Sequence, residues 1–142
     1  MVNIIFLSEI DFNLTLQQNF FMFLTLNHKK LDIYATSRAF VQECYKLTNY
    51  LPPEERFGMI SQIRRAALSV HLNIAEGASR RSENERRRYY EIARGSVIEI
   101  DAALDIAKDL SYLETRKIDI LGKLLIQCFK MLSGMIEAKK EN

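Results

Sequence analysis

Between positions 78 and 94 six arginines, Arg80, Arg81, Arg86, Arg87, Arg88 and Arg94, stand against three glutamates, Glu83, Glu85 and Glu91. The stretch contains no lysine. A guanidinium forks onto phosphate oxygens and also stacks on flat rings, so an arginine-only run points to phosphate and base contacts. Tyr89 and Tyr90 lie inside the run and offer rings on which unpaired bases could stack. Arg80, Arg81, Arg86, Arg87 and Arg88 are therefore the candidate nucleic-acid-binding residues. The alternative is a solvated surface partly neutralised by Glu83 and Glu85. Three consecutive arginines point in three helical directions and cannot all face one phosphate backbone.

A second constellation is polar rather than basic. Gln62, Arg65, Ser69, Asn73 and Glu76 recur at helical spacing and share one face, about 100° from the neighbouring apolar seam. Arg94, Gly95, Ser96 and Glu99 follow in the next helical segment, where small residues permit close approach. Arg94 and Arg65 are expected to pair with Glu76 and Glu99. On a solvated face such pairs contribute about 0.2–0.5 kcal/mol each. Ser and Asn are poor choices for a merely solvated helix, so the stripe is read as a buried network. It would lie at a helix–helix or subunit contact, where a missing partner leaves a charge uncompensated.

Catalytic patterns are missing. The chain has no glycine-rich phosphate loop, HExxH, GxSxG or EF-hand pattern. His28 and His71 are the only histidines, and neither has a glutamate three residues before it, as a di-iron bundle would need. His71 reads as a surface or interface histidine. Cys44 and Cys128 have no partner motif and fall on apolar stripes, so they read as reduced, buried thiols. The sequence predicts no enzyme, cofactor or metal.

Helices must position these groups. The chain has 142 residues, 48% hydrophobic and 27% charged, with a net charge of +2, which fits one folded domain with a real core. Five glycines and two prolines are few chain breakers and favour long helices. The first segment runs over about residues 30–50, with Ile33, Ser37, Phe40, Cys44, Leu47 and Leu51 on its seam, and Pro52-Pro53 ends it. Pro53-Glu54-Glu55 suits the first turn of the second, which carries Ile60, Ile63, Ala67, Val70 and Ile74 and stops at Gly77. Ser82-Glu83-Asn84-Glu85 opens the third as a capping box. Its stripe is Tyr89, Ala93, Ser96, Ile100, Ala103, Ala107 and Leu110. Thr115 is expected to cap the fourth, with Ile118, Leu121, Leu125, Cys128, Leu132 and Met135 inside, and Lys139-Lys140 favouring its C-terminal dipole. The prediction is an all-α, antiparallel up-down-up-down four-helix bundle over residues 29–142.

Residues 1–28 contain no Lys or Arg and too short an apolar run to span a bilayer. They read as an N-terminal extension translated from upstream of the true start, with Met22 the candidate initiator. The alternative is an apolar arm docking on a neighbouring subunit. No membrane association is expected.

The runs Leu51-Pro-Pro-Glu-Glu-Arg-Phe-Gly, Gln62-Ile-Arg-Arg-Ala-Ala-Leu-Ser69, Asn73-Ile-Ala-Glu-Gly77 and Ala93-Arg-Gly-Ser96 carry a resemblance. Over about residues 31–138 the sequence resembles the four-helix bundle proteins encoded in 23S ribosomal RNA intervening sequences. Relatives of that family include the accessory variability protein of diversity-generating retroelements. The resemblance implies a bacterial, cytoplasmic homopentameric barrel with a central channel. Most members have no established biochemical role; the retroelement relative implies a basic surface that binds nucleic acid and a reverse transcriptase partner. The matching positions are Gln62, Arg65, Ser69, Asn73, Glu76, Gly77, Arg94, Gly95, Ser96 and Glu99, read as an assembly signature, with Arg80 at a basic position. The extension has no counterpart in the pattern.

These observations predict a non-catalytic homo-oligomer that binds RNA or DNA, RNA being favoured, as an accessory to a nucleic-acid enzyme such as a reverse transcriptase. The competing expectation is a protein-interaction scaffold ring whose arginines only solvate it.

Overall fold

The computed structural model describes residues 24 and 26–138. Most of the expected extension, including Met22, lies outside the described residues, as do Lys139 and Lys140. Among the described residues the chain is all-helical, with four α-helices and no strand: α1 (Asp32–Thr48), α2 (Met59–Ser79), α3 (Glu83–Asp109) and α4 (Asp119–Glu137). Two 3-10 turns, Asn27–Lys30 and Pro53–Phe57, precede α1 and α2. None of these helices is long and apolar enough to cross a membrane.

Three-four spacing of apolar residues builds the core. Ile33, Phe40, Cys44 and Leu47 of α1 meet Ile63, Ala67, Val70 and Ile74 of α2. Ala93, Val97, Ile100 and Ala107 of α3, with Leu121, Leu125, Cys128 and Leu132 of α4, complete the same cluster. Each helix packs against the next, and α1 also packs against α4. α2 and α3 make the most extensive pairing, because Ala66, Gly77, Ala93 and Ser96 keep their contact face small. Their contacts run from Gln62 with Glu99, through Ser69 with Ser96, to Gly77 with Tyr90, so the two helices are antiparallel.

Several boundaries differ from the sequence prediction. Pro53–Phe57 is a separate 3-10 turn, and the chain breaks at Gly58 before α2 begins. The Glu55 carboxylate reaches across that break, accepting from the Met59 N–H at 3.0 Å and from the Tyr112 hydroxyl at 3.2 Å. It therefore ties the start of α2 to the link after α3. Gly77 does not stop α2, which continues to Ser79; at this position a Cβ would collide with Tyr89 and Tyr90. Ser82 caps α3 by accepting from the Glu85 N–H at 3.5 Å, the first half of the expected box.

α3 ends in a Schellman motif. The Ser111 N–H bonds to the Lys108 carbonyl and the Tyr112 N–H to the Ala107 carbonyl, each at 2.9 Å. Ser111 sits at φ 62°, the left-handed conformation usual for glycine at this position. Thr115 does not cap α4, whose N-cap is Ile118. On the seams, Tyr90 rather than Tyr89 is buried, Val97 and Leu104 replace Leu110, and Ile136 lies deeper than Met135. Each of these corrections is a rotation of one residue, or an irregularity near a helix end.

Cys44 and Cys128 are free and fully buried. Burial pushes both thiols up to about 12, and for Cys44 the neighbouring Cys128 adds to the shift. Thiolate is the reactive form. A disulfide-exchange dye at neutral pH is expected to label neither cysteine in the folded chain and both after urea unfolding. Rapid labelling of either one without denaturant would contradict this packing.

Candidate nucleic-acid interface

The α2–α3 corner collects the arginines, but they do different work. Arg80 pairs with the Glu76 carboxylate one turn earlier. Its guanidinium also donates to the Tyr89 hydroxyl at 3.2 Å and lies over that ring, 5.2 Å from the centroid. Arg86 turns back onto the corner and donates from one Nη1 to the carbonyls of Arg80 and Arg81, each at 2.9 Å. These carbonyls follow the C-terminus of α2, where a cation is favoured by the helix dipole. Arg80 and Arg86 are thus fasteners of the corner.

The side chains of Arg81, Arg87 and Arg88 are exposed and make no ion pair or hydrogen bond with any described residue. The sequence grouped five arginines as one interface, and the structure divides them into two that hold the corner and three that remain available. A shallow cleft of about 240 Å³ opens beside Arg87, lined by Glu83, Arg86, Tyr90, Met135 and Ile136 among others. Arg64, which precedes the cluster in sequence, turns away from it. It donates to Thr48 Oγ1 at 2.8 Å and Asn49 Oδ1 at 2.9 Å, and covers the Tyr45 ring at the end of α1.

The polar stripe divides similarly. At its centre the buried Ser96 hydroxyl donates to Ser69 Oγ at 2.9 Å. Asn73 Nδ2 donates to the Ser69 carbonyl at 2.8 Å and to Ser69 Oγ at 3.1 Å. Toward one end Gln62 donates to Glu99 at 3.3 Å, with both side chains exposed. The expected Arg65 and Arg94 pairs with Glu76 and Glu99 do not form. Glu76 is taken by Arg80, and Arg94 crosses to α4 to donate to Ser133 at 3.3 Å. The Arg65 side chain is exposed and makes no hydrogen bond or ion pair with the described residues.

Within one chain, then, the network is buried only at its middle, and its outer part forms an open groove. Gln62, Arg65, Ser69, Gly95, Ser96 and Glu99 line this groove. Ile92 of α3 lines it too and is exposed, as are Leu68 and Leu72 of α2 and Ile106 of α3. Sequence spacing placed the polar residues on one face correctly. It gave no sign of which cation each carboxylate would take, because long side chains choose partners only after the helices have docked.

His71 lies half-buried instead of on the open surface. Its Nδ1 is 2.8 Å from Ser37 Oγ, and its ring packs 4.4 Å from that of Tyr34. Ser37 also donates to the Tyr34 carbonyl at 3.1 Å, so its oxygen accepts from the Nδ1–H of a neutral imidazole. Burial, with smaller contributions from Arg38 and His28, lowers the pKa of His71 below 6.5. The unfolded chain therefore takes up this proton at higher pH than the folded one. Stability from this group is present above about 6.5 and is lost as pH falls through the folded value. The urea midpoint of the wild type is expected to drop more steeply between about pH 7 and pH 5 than that of His71→Gln. Parallel curves would remove His71 as the cause.

The family model described as 23S rRNA-intervening sequence protein matches residues 29–134. No curated protein matches the chain.

Proposed function

Because the chain belongs to the 23S rRNA-intervening sequence protein family, we propose that it is a non-catalytic, nucleic-acid-binding homo-oligomer that prefers RNA to DNA. The observation that carries this reading is the set of exposed, unpartnered arginines at the α2–α3 corner, Arg81, Arg87 and Arg88. Charged side chains without an internal partner remain free to neutralise phosphates. The family's name, with its reference to 23S rRNA, supports RNA as the preferred ligand.

In this reading the four helices form an up-down-up-down bundle over residues 29–142, with residues 1–28 an appendage. Five copies close into a cytoplasmic, bacterial barrel. The polar stripe of Gln62, Arg65, Ser69, Asn73, Glu76, Arg94, Ser96 and Glu99 is its assembly surface. Exposed apolar residues on the same two helices support this use, since Leu72 is 60% and Ile106 52% accessible in one chain. Burying such side chains yields about 25 cal/mol per Å². The assembled ring brings several arginine corners together and multiplies weak phosphate contacts. A reverse transcriptase or similar nucleic-acid enzyme is its partner.

Those apolar residues equally favour a scaffold ring that binds only protein. The deciding experiment is titration of a structured RNA and a matched DNA across a salt series, with particle mass measured on the same sample. A steep fall in affinity with salt is expected, with RNA bound more tightly than DNA. Absence of binding at low salt would leave the scaffold, and a monomeric mass would remove the ring.

A further inference from the structure

A second cleft lies at the other end of α2, roughly 30 Å from the arginine corner at about 1.5 Å per helical residue. The end of α1 and the link into α4 form its walls, and it encloses about 470 Å³. That size is within the range of pockets that hold small molecules, about 300–1,000 Å³. Tyr50, Arg116, Lys117, Lys46, Glu43 and Thr115 supply its polar lining.

Two properties distinguish it from a generic surface dent. The Arg116 guanidinium stacks on the Tyr50 ring at 3.5 Å from the centroid, while Tyr50 remains 56% accessible. The pair is a flat platform, held together by cation–π attraction and open to solvent. Around it the cations outnumber the carboxylate. Lys46, Arg116 and Lys117 face one Glu43, so the lining carries +3 and −1, a net +2. Glu43 is engaged by Lys46 at 2.6 Å, whereas Lys117 has no ion pair among the described residues. A flat aromatic–guanidinium platform beside the uncompensated ammonium of Lys117 matches a ligand with a flat ring at one end and an anion at the other.

We propose that this cleft binds a nucleoside phosphate, the base stacking on the Tyr50–Arg116 platform and the phosphate facing Lys117. Base stacking on such a platform contributes about 1–3 kcal/mol and tolerates any base. Selectivity is therefore for phosphate over bare nucleoside rather than for one base. The ligand is either a free nucleotide or the 5′-phosphorylated end of an RNA strand. The inference is independent of the arginine corner and stands or falls separately.

Calorimetric titration of the full chain with adenosine 5′-monophosphate, adenosine, inorganic phosphate and a 5′-phosphorylated tetranucleotide tests it. The monophosphate is expected to bind at least about 10-fold more tightly than adenosine or phosphate alone. Tyr50→Ala, and separately Arg116→Ala with Lys117→Ala, are each expected to weaken it about 10-fold or more. The Arg81→Ala, Arg87→Ala, Arg88→Ala triple variant leaves this binding unchanged. Tighter binding of the tetranucleotide identifies the strand end as the source, and equal binding identifies the free nucleotide. The proposal is overturned if the monophosphate binds no better than inorganic phosphate or if Tyr50→Ala has no effect. Equal competition by a short polyglutamate peptide would also overturn it, in favour of an acidic protein partner. The substituted side chains lie on the surface, and an unchanged helical circular dichroism spectrum confirms that each variant is folded.

Discussion

Replacing Arg81, Arg87 and Arg88 together with alanine is expected to lower RNA affinity about 100-fold near 0.1 M salt, because each phosphate contact steepens the log–log salt dependence by about 0.7–0.9. Losing three contacts flattens that slope by about two. The fold should be unaffected, since the three side chains are exposed and make no hydrogen bond or ion pair with a described residue, and alanine suits α3 at positions 87 and 88. The informative comparison is Arg80→Ala. Arg80 is bound to Glu76 and Tyr89, so its loss should lower the unfolding midpoint more than it changes RNA affinity. Filter binding over a salt series, with thermal melts of the same samples, separates the two effects. If the triple variant bound RNA with an unchanged slope, the α2–α3 corner would not be the interface.

The second large effect is expected from a single methyl group. A Cβ added at Gly77 would lie 2.8 Å from Tyr90 Cε1 and 2.9 Å from Tyr89 Cβ. Turning the Tyr90 ring aside does not suffice, because Tyr89 Cβ is fixed to the α3 backbone, so the helices must separate. Overpacking of this kind costs about 1–3 kcal/mol. The better helix propensity of alanine returns up to about 1 kcal/mol. Gly77→Ala should therefore lose about 1–2 kcal/mol in urea unfolding. Tyr90→Leu should relieve only the ring part of the clash, so the double variant should show a coupling energy. A Gly77→Ala variant as stable as wild type would mean that the helices are further apart than described here.

The repeat of apolar residues made most of this architecture legible. Ile63, Ala67, Val70 and Ile74 are buried where their spacing predicted, as are Phe40, Cys44 and Leu47. The errors have common physical sources. Tyr89 and Tyr90 are adjacent and chemically alike, so a small rotation of α3 decides which is inside. Gly77 carries the same letter whether it ends a helix or admits a neighbouring ring. The arginine run identified the corner, but its division between fasteners and free side chains depends on where the Arg80 and Arg81 carbonyls point. That geometry exists only once α2 and α3 have met. The Ser37–His71 contact joins residues far apart in the chain and left no local pattern to find.

The close pairing of α2 with α3 also bears on the order of folding. These helices are consecutive, joined only by residues 80–82, and their face is made of small side chains that need little rearrangement to fit. Contacts near in sequence close with little entropy loss and form early, whereas the packing of α4 on α1 joins the two ends of the bundle. A hairpin of α2 and α3 is thus the natural nucleus. On a ribosome it could assemble once α3 has emerged, before α4 has been synthesised. The arginine corner would then be in place on the nascent chain while the α1 face that receives α4 is still uncovered.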